Sequence, residues 1–339
     1  MNRTLLFISL FSIFTLVSCQ SSPKNEAGKQ NEVELVAEKQ LAFPLDEQTY
    51  YLSKSMFQFE ENGKEYLHFE NTQKSLYDIV IFDIENQQIA KRIPLHKTGP
   101  NGLPAVYGSR PSPDSKQILI SQNNIGRLST INNQGEVVHN YPVKTPEGRF
   151  TTFFFCSYYN APAFVKDSCI FLNQGIFKPN MKREDWPQTH MFASQNLKTG
   201  KFEWVPIFYP PIFKEEYENI DGGYGFSYDY NYKENRLVCG FFGYDSLMVT
   251  DDLKHIRWYN AKSKYLKSMK PKLGNAMAGI NSIIEFCEAP MYWHIMYDKY
   301  RDVYYRFAEM PYKLASNESP YDEPKGKEFS VIVLNADFE

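Results

Sequence analysis

The stretch Asp78–Leu95, DIVIFDIENQQIAKRIPL, decides the architecture. A short alternating apolar run leads into a polar turn opened by Asp83, and a second run closes on Ile93-Pro94-Leu95. That pattern predicts a β-hairpin. The phrase recurs as RLSTINNQGEVVHNYPV, ending on Tyr141-Pro142-Val143, and as MFASQNLKTGKFEWVPI, ending on Val205-Pro206-Ile207. A looser copy is SLMVTDDLKHIRWYNA, and a shortened one, FSVIVLNADFE, closes the chain. An Asp or Asn opens each turn: Asp83, Asn132, Asn196, Asp251 and Asn335. Their short side chains hydrogen-bond backbone groups a residue or two on, as a tight turn requires.

A second hairpin lies between successive copies. Tyr50–Phe59 and Glu65–Phe69 flank Asn62-Gly63, a strong two-residue hairpin signal. Further hairpins or strands are predicted at Pro111–Ser121, Pro162–Leu172, Tyr228–Phe242 and Met291–Phe307. Pairing each with the copy that follows yields four-stranded antiparallel units, the build of a β-propeller blade. The turn residues are spaced 49, 64, 55 and 84 apart, against roughly 40–50 residues per blade. The surplus falls in Phe177–Pro187, Pro210–Gly225, Ala261–Ile284 and Leu314–Glu328. A short helix is expected within SKYLKSMKPKLGNAMAGINSIIEF. Glu32–Leu45 ends on Phe43-Pro44-Leu45 like the other outer strands and predicts an orphan outer strand. The fold expected is all-β: a propeller over 32–339, six-bladed in the full protein, with its last blade cut short after the Asn335 turn.

The start of the chain carries a targeting signal. Arg3 precedes the apolar run Leu5–Val17, which is too short to span a bilayer as a helix. Leu16-Val17-Ser18-Cys19 is similar to a bacterial lipobox, which implies cleavage before Cys19 and acylation of its thiol. Residues 1–18 are then a signal peptide and 19–31 a flexible, lipidated tether. The resulting location is the cell envelope, at the outer membrane. Removing residues 1–18 takes away one charge, Arg3, and moves the net charge from −3 to −4. A mildly acidic chain gives no electrostatic case for nucleic acid. Cys156, Cys169, Cys239 and Cys287 show no metal-binding spacing; an envelope location permits disulfides among them, in three connectivities, and buried free thiols are the expectation.

Three further passages carry a family resemblance. SPDSKQILIS (Ser112–Ser121) is similar to the SPDGK-type turn of TolB-like blades, with Ser115 where Gly is common. Thr98-Gly99-Pro100-Asn101-Gly102 resembles a Gly-Pro-Gly loop, and Tyr297–Phe307, YDKYRDVYYRF, a late-blade hairpin. With the lipobox, the chain resembles Bacteroidetes-type lipoproteins of unknown function with a TolB-like six-bladed propeller. The resemblance implies fold and location, and no activity.

No catalytic constellation is present: there is no GxSxG elbow, HExxH, Walker loop or EF-hand loop. The six histidines have no ligand spacing, and no motif calls for a metal or cofactor. Six tyrosines crowd Phe208–Tyr232. Tyr228, Tyr230 and Tyr232 alternate on one strand face and are expected in the core. Tyr224, in the Gly-rich loop Asp221–Gly225, and Trp186, in a long loop, are candidates for ligand contact. Trp293-His294 and Arg306 are the other candidates. Neighbours on a strand point to opposite faces, so Trp293 and His294 share a wall only across a bulge. Arg306 needs a carboxylate or solvent, and a structural ion pair is the expectation. These readings point to a lipid-anchored binding module for a protein or a glycan. The alternative is an envelope enzyme of lactonase or glycan-lyase type, with carboxylates or a metal converging on the propeller axis.

Overall fold

Asn62 and Gly63 both take positive φ, 53° and 75°, the backbone that lets a two-residue turn follow the strand twist. They join β1 (Met56–Glu61) to β2 (Lys64–Asn71). Next come β3 (Asp78–Asp83) and β4 (Gln88–Pro94), completing an antiparallel sheet in the order β1-β2-β3-β4. The computed structural model describes residues 36, 40–53, 55–72, 77–112, 114–122, 126–143, 154–155, 162–174, 187–211, 225–266, 280–320 and 326–339. Contacts divide the chain into Met1–Lys39 and Gln40–Glu339, and every blade lies in the second unit.

Blade two is β5 (Gly108–Pro111), β6 (Ile118–Gln122), β7 (Arg127–Ile131) and β8 (Val137–Pro142). In blade three, a short β9 (Phe154–Phe155) pairs with β11 beside β10 (Phe164–Lys166), β11 (Cys169–Gln174), β12 (Phe192–Asn196) and β13 (Phe202–Trp204). Blade four is β14 (Phe226–Asn231), β15 (Arg236–Phe241), β16 (Ser246–Thr250) and β17 (Arg257–Asn260). Helix α1 (Ile280–Glu288) falls where a helix was expected and leads into blade five. That blade has three strands, β18 (Met291–Asp298), β19 (Val303–Glu309) and β20 (Phe329–Leu334).

The repeated turns are built as their residues predict. Asp83 Oδ1 accepts from Asn86 N at 2.9 Å, and Asn132 Oδ1 from Gln134 N and Glu136 N at 2.9 Å. Asn196 Oδ1 accepts from Lys198 N and Thr199 N, and Asn335 Oδ1 from Asp337 N and Glu339 N. The fourth turn differs by one residue. Asp252 accepts from Lys254 N and His255 N, while Asp251 pairs with Arg236 and Arg257. Ser115, standing where the resembled turn carries Gly, takes φ 55°.

The apolar residues flanking each outer-strand proline seal one blade against the next. Ile93 and Leu95 pack with Leu103, Ile118 and Ile120 of blade two. Tyr141 and Val143 pack with Ile170 and Leu172 of blade three, and Val205 and Ile207 with Phe226 and Tyr228 of blade four. The seam between blades four and five is filled by Val238, Leu247, Ile295, Tyr304 and Phe338. Proline is tolerated there because an outer strand has no partner on one side.

The six-bladed expectation, with a truncated last blade, is corrected to five blades. Lys299 lies 3.3 Å from Glu65 and 4.0 Å from Glu60, Gln58 Nε2 donates to Tyr300 OH at 2.9 Å, and Tyr300 OH reaches Glu65. A fifth blade whose hairpin tip already touches the first leaves no gap for a sixth. The sixth blade was expected from the family resemblance and from the short stretch after the Asn335 turn, not from the turn spacings, whose surplus falls in the links between strands. Of the expected orphan outer strand Glu32–Leu45, residues 36 and 40–45 form no strand and the others lie outside the described residues; Phe43 packs on Phe82 of blade one, ring centroids 5.2 Å apart.

Candidate functional site

The inner strand of the last blade carries the bulge that the Trp293-His294 reading required. Tyr292 pairs with Ala308, the register then shifts, and Ile295 pairs with Arg306. Trp293 and His294 therefore both oppose Phe307. Two residues facing one brings neighbouring side chains toward a common side. Their rings stack at 5.7 Å with 29° between planes. Trp293 also meets Phe242 of blade four at 4.6 Å, and His294 meets Phe307 edge-on at 6.2 Å. Both residues remain half-buried. Burial lowers the His294 pKa, so its ring is neutral near pH 7. Gly225 makes room for this cluster: a Cβ there would lie 2.0 Å from two Phe242 ring carbons.

Further along β18, blade four holds the strand by its main chain. Ser227 Oγ accepts from Ile295 N at 2.9 Å, and Asp229 Oδ2 from Tyr297 N at 2.8 Å. Asp229 Oδ1 accepts from Tyr230 N at 2.8 Å. Burial raises the Asp229 pKa, opposed by the Tyr297 N–H and by the charge of Arg110. Arg110, on the inner strand of blade two, donates from Nη1 to Ala163 O of blade three and lies 5.1 Å over the Phe57 ring of blade one. Two inner-strand charges thus touch all five blades. The sequence reading passed over both: Asp229 was hidden among alternating tyrosines, and Arg110 stood before the SPDSK turn.

Arg306 is 1% exposed. Its Nη1 donates to Asp245 O at 2.7 Å and Ala261 O at 2.8 Å, its Nη2 to Tyr244 O at 2.5 Å and Phe241 O at 3.3 Å. Its guanidinium lies 3.6 Å over the Tyr292 ring. Main-chain carbonyls take the place of the expected carboxylate and clamp the end of blade four onto blade five.

A serine, a histidine and a carboxylate also meet between blades one and two. Ser109 Oγ donates to Glu70 Oε2 at 2.8 Å, so His68 Nε2–H donates to Ser109 Oγ at 2.8 Å. The serine stands between the other two, whereas a catalytic triad has the histidine in the middle. All three are buried, and burial followed by the Arg110 charge pushes the His68 pKa down to about 3. The set is a sealed structural network.

A family profile described as "Domain of unknown function (DUF4221)" matches residues 32–339. The chain belongs to the DUF4221 family. It is similar to the crystal structure of a DUF4221 member from Bacteroides vulgatus, with 85% identity and a TM-score of 0.86 over 92% of this chain and 86% of that one. It is also similar to a putative exported protein from Bacteroides fragilis, with a TM-score of 0.52 and 8% identity over 88% of this chain and 72% of that one. That second likeness shows the fold alone. Comparison with curated proteins gives no match.

In this DUF4221 propeller, Tyr224, Trp186 and Cys19 lie outside the described residues. Tyr228 and Tyr230 are core residues, whereas Tyr232, just past the end of β14, is 46% exposed. Cys169, Cys239 and Cys287 are free thiols, but only Cys239 is buried, Cys169 and Cys287 being half-buried, and Cys156 lies outside the described residues. Among the described residues no group of three or more His, Cys, Asp or Glu is placed to hold a metal ion. The inner strands of the DUF4221 ring carry Glu60, Glu61, Asp229 and Asp298. Of these, Glu60 lies beside Lys299 and Asp298 pairs with Arg301, both at the hairpin tip.

Proposed function

We propose that this DUF4221 propeller is a non-enzymatic binding module of the cell envelope, anchored through Cys19, that takes a glycan against the Trp293–His294 pair. The observation that carries the reading is the bulge opposite Phe307. It holds a tryptophan and a neutral imidazole ring over ring and leaves both partly open to solvent. Aromatic faces pack against the C–H faces of sugar rings, and a pre-stacked pair loses little freedom on binding. Tyr224 and Trp186 extend the aromatic surface in this reading. Arg306 supports it from beneath by holding the Phe241–Asp245 segment that carries Phe242. The Leu16–Cys19 lipobox supports the envelope location.

The test is binding of the full chain to a panel of bacterial and host oligosaccharides, followed by calorimetry on those retained. At least one glycan binds, and Trp293→Ala weakens it by about tenfold or more. Retention of no glycan, or affinity unchanged in Trp293→Ala, overturns the assignment. Labelled fatty acid should enter the wild type and not Cys19→Ala; equal labelling of both sinks the anchor.

A further inference from the structure

Two Asn-Gly pairs occur in the chain, Asn62-Gly63 and Asn101-Gly102. A glycine nitrogen that follows an asparagine can attack the side-chain amide carbon, because no Cβ on the glycine crowds the approach. The attack needs two freedoms. The Asn side chain must swing onto the next nitrogen, and that nitrogen must be free to give up its N–H proton. The fold grants both to one pair and neither to the other.

Asn62 and Gly63 form the exposed tip of the β1–β2 hairpin. Among the described residues, neither the Asn62 side chain nor the Gly63 N–H has a hydrogen-bond partner. The space beside Gly63 is open, since a Cβ there would meet nothing within 4 Å. Asn101 is held instead. Its Oδ1 accepts from Val137 N of blade two at 3.0 Å, and Gly102 N donates to Gly99 O at 2.9 Å. A Cβ on Gly102 would lie 2.8 Å from Gly99 O, and both residues of this pair are half-buried.

We propose that Asn62 is a site of spontaneous deamidation, with water as co-reactant, and that Asn101 is protected by its contacts. The Gly63 nitrogen gives its proton to solvent base and bonds to Asn62 Cγ. The Cγ–Nδ2 bond breaks, Nδ2 leaves as ammonia, and a cyclic imide remains. Water then opens the imide. Attack at Cγ restores the original main chain and leaves an aspartate. Attack at the main-chain carbonyl leaves an isoaspartate, whose main chain runs through Cβ and Cγ and is longer by a methylene. The hairpin pairs Glu61 directly with Lys64, so its tight turn has no slack for that extra carbon. The same tip carries Glu60 and Glu65, on which Lys299 and Tyr300 of blade five rest. Conversion therefore places a new carboxylate where the ring closes, away from the aromatic residues of the glycan reading.

Peptide mapping by mass spectrometry tests this on the full chain aged in warm, mildly alkaline buffer, with isoaspartate counted by enzymatic methylation. The Asn62 peptide gains aspartate and isoaspartate at least about tenfold faster than the Asn101 peptide. In concentrated urea, where the contacts of Asn101 and Gly102 are lost, the two pairs convert at similar rates. No conversion of Asn62, equal rates in the folded chain, or aspartate without isoaspartate overturns the proposal. So does a difference that persists in urea, which would belong to the neighbouring residues and not to the fold.

Discussion

Trp293 and His294 lie ring over ring, 5.7 Å apart, because both stand opposite Phe307 in the β18–β19 ladder. In a regular strand their side chains would point to opposite faces of the blade. The extra residue places the pair at the inner edge, where Phe242 of blade four meets Trp293. One local irregularity thereby joins two blades and forms the aromatic surface on which the glycan reading rests.

Trp293→Ala removes one ring of the pair and its contact with Phe242. Loss of the stacked ring costs bound glycan about 0.5–1.5 kcal/mol beyond the apolar area lost. Calorimetry on the retained saccharide measures it, with His294→Ala expected to weaken the same ligand.

Gly225→Ala places a methyl group 2.0 Å from Phe242 Cδ2 and Cε2. The phenylalanine must move, and with it the support of Trp293. Overpacking of this kind destabilises by about 1–3 kcal/mol. A urea midpoint equal to that of the wild type would show that Phe242 has another place to go.

Arg306→Met leaves the carbonyls of Tyr244 and Ala261 without a donor in a buried seam, while Asp245 O keeps the Ala261 N–H and Phe241 O the Tyr244 N–H. Orphaned buried acceptors cost about 1–3 kcal/mol each when water cannot reach them. A loss of about 3 kcal/mol or more in denaturant unfolding is expected. A loss under about 1 kcal/mol, in the range of ordinary surface changes, would remove the clamp from the account of the fold.

His68 links stability to acid. Its folded-state pKa is depressed to about 3, chiefly by burial, whereas an unfolded imidazole titrates near about 6.5. Between those values the unfolded chain binds a proton that the folded chain does not. Its contribution is therefore complete above about pH 6.5 and declines as pH falls, by up to about 1.4 kcal/mol per pH unit. His68→Gln keeps a donor for Ser109 and removes this titration. Unfolding midpoints at about pH 7 and about pH 5 should converge in the variant relative to the wild type.

The parts of this fold legible in the chain are those made by neighbouring residues. Asp83, Asn132, Asn196 and Asn335 cap their turns as read, and Asn62-Gly63 makes its hairpin, because these contacts span only a few residues. Even the fourth turn was displaced by one position alone, since adjacent Asp251 and Asp252 offer the same chemistry and the choice fell to Arg236 and Arg257. The bulge at Trp293-His294 was legible only as a condition, because a register shift depends on which residues of the partner strand arrive opposite. Blade number was beyond the pattern. It is set by how sharply successive sheets tilt as their side chains interleave, and by whether Lys299 and Tyr300 reach Gln58, Glu60 and Glu65 when the ring comes round. Arg110 and Asp229 were invisible for the same reason. A lone charge on an apolar strand reads as a surface residue, and its meaning appears once packing brings blades distant in sequence around one axis.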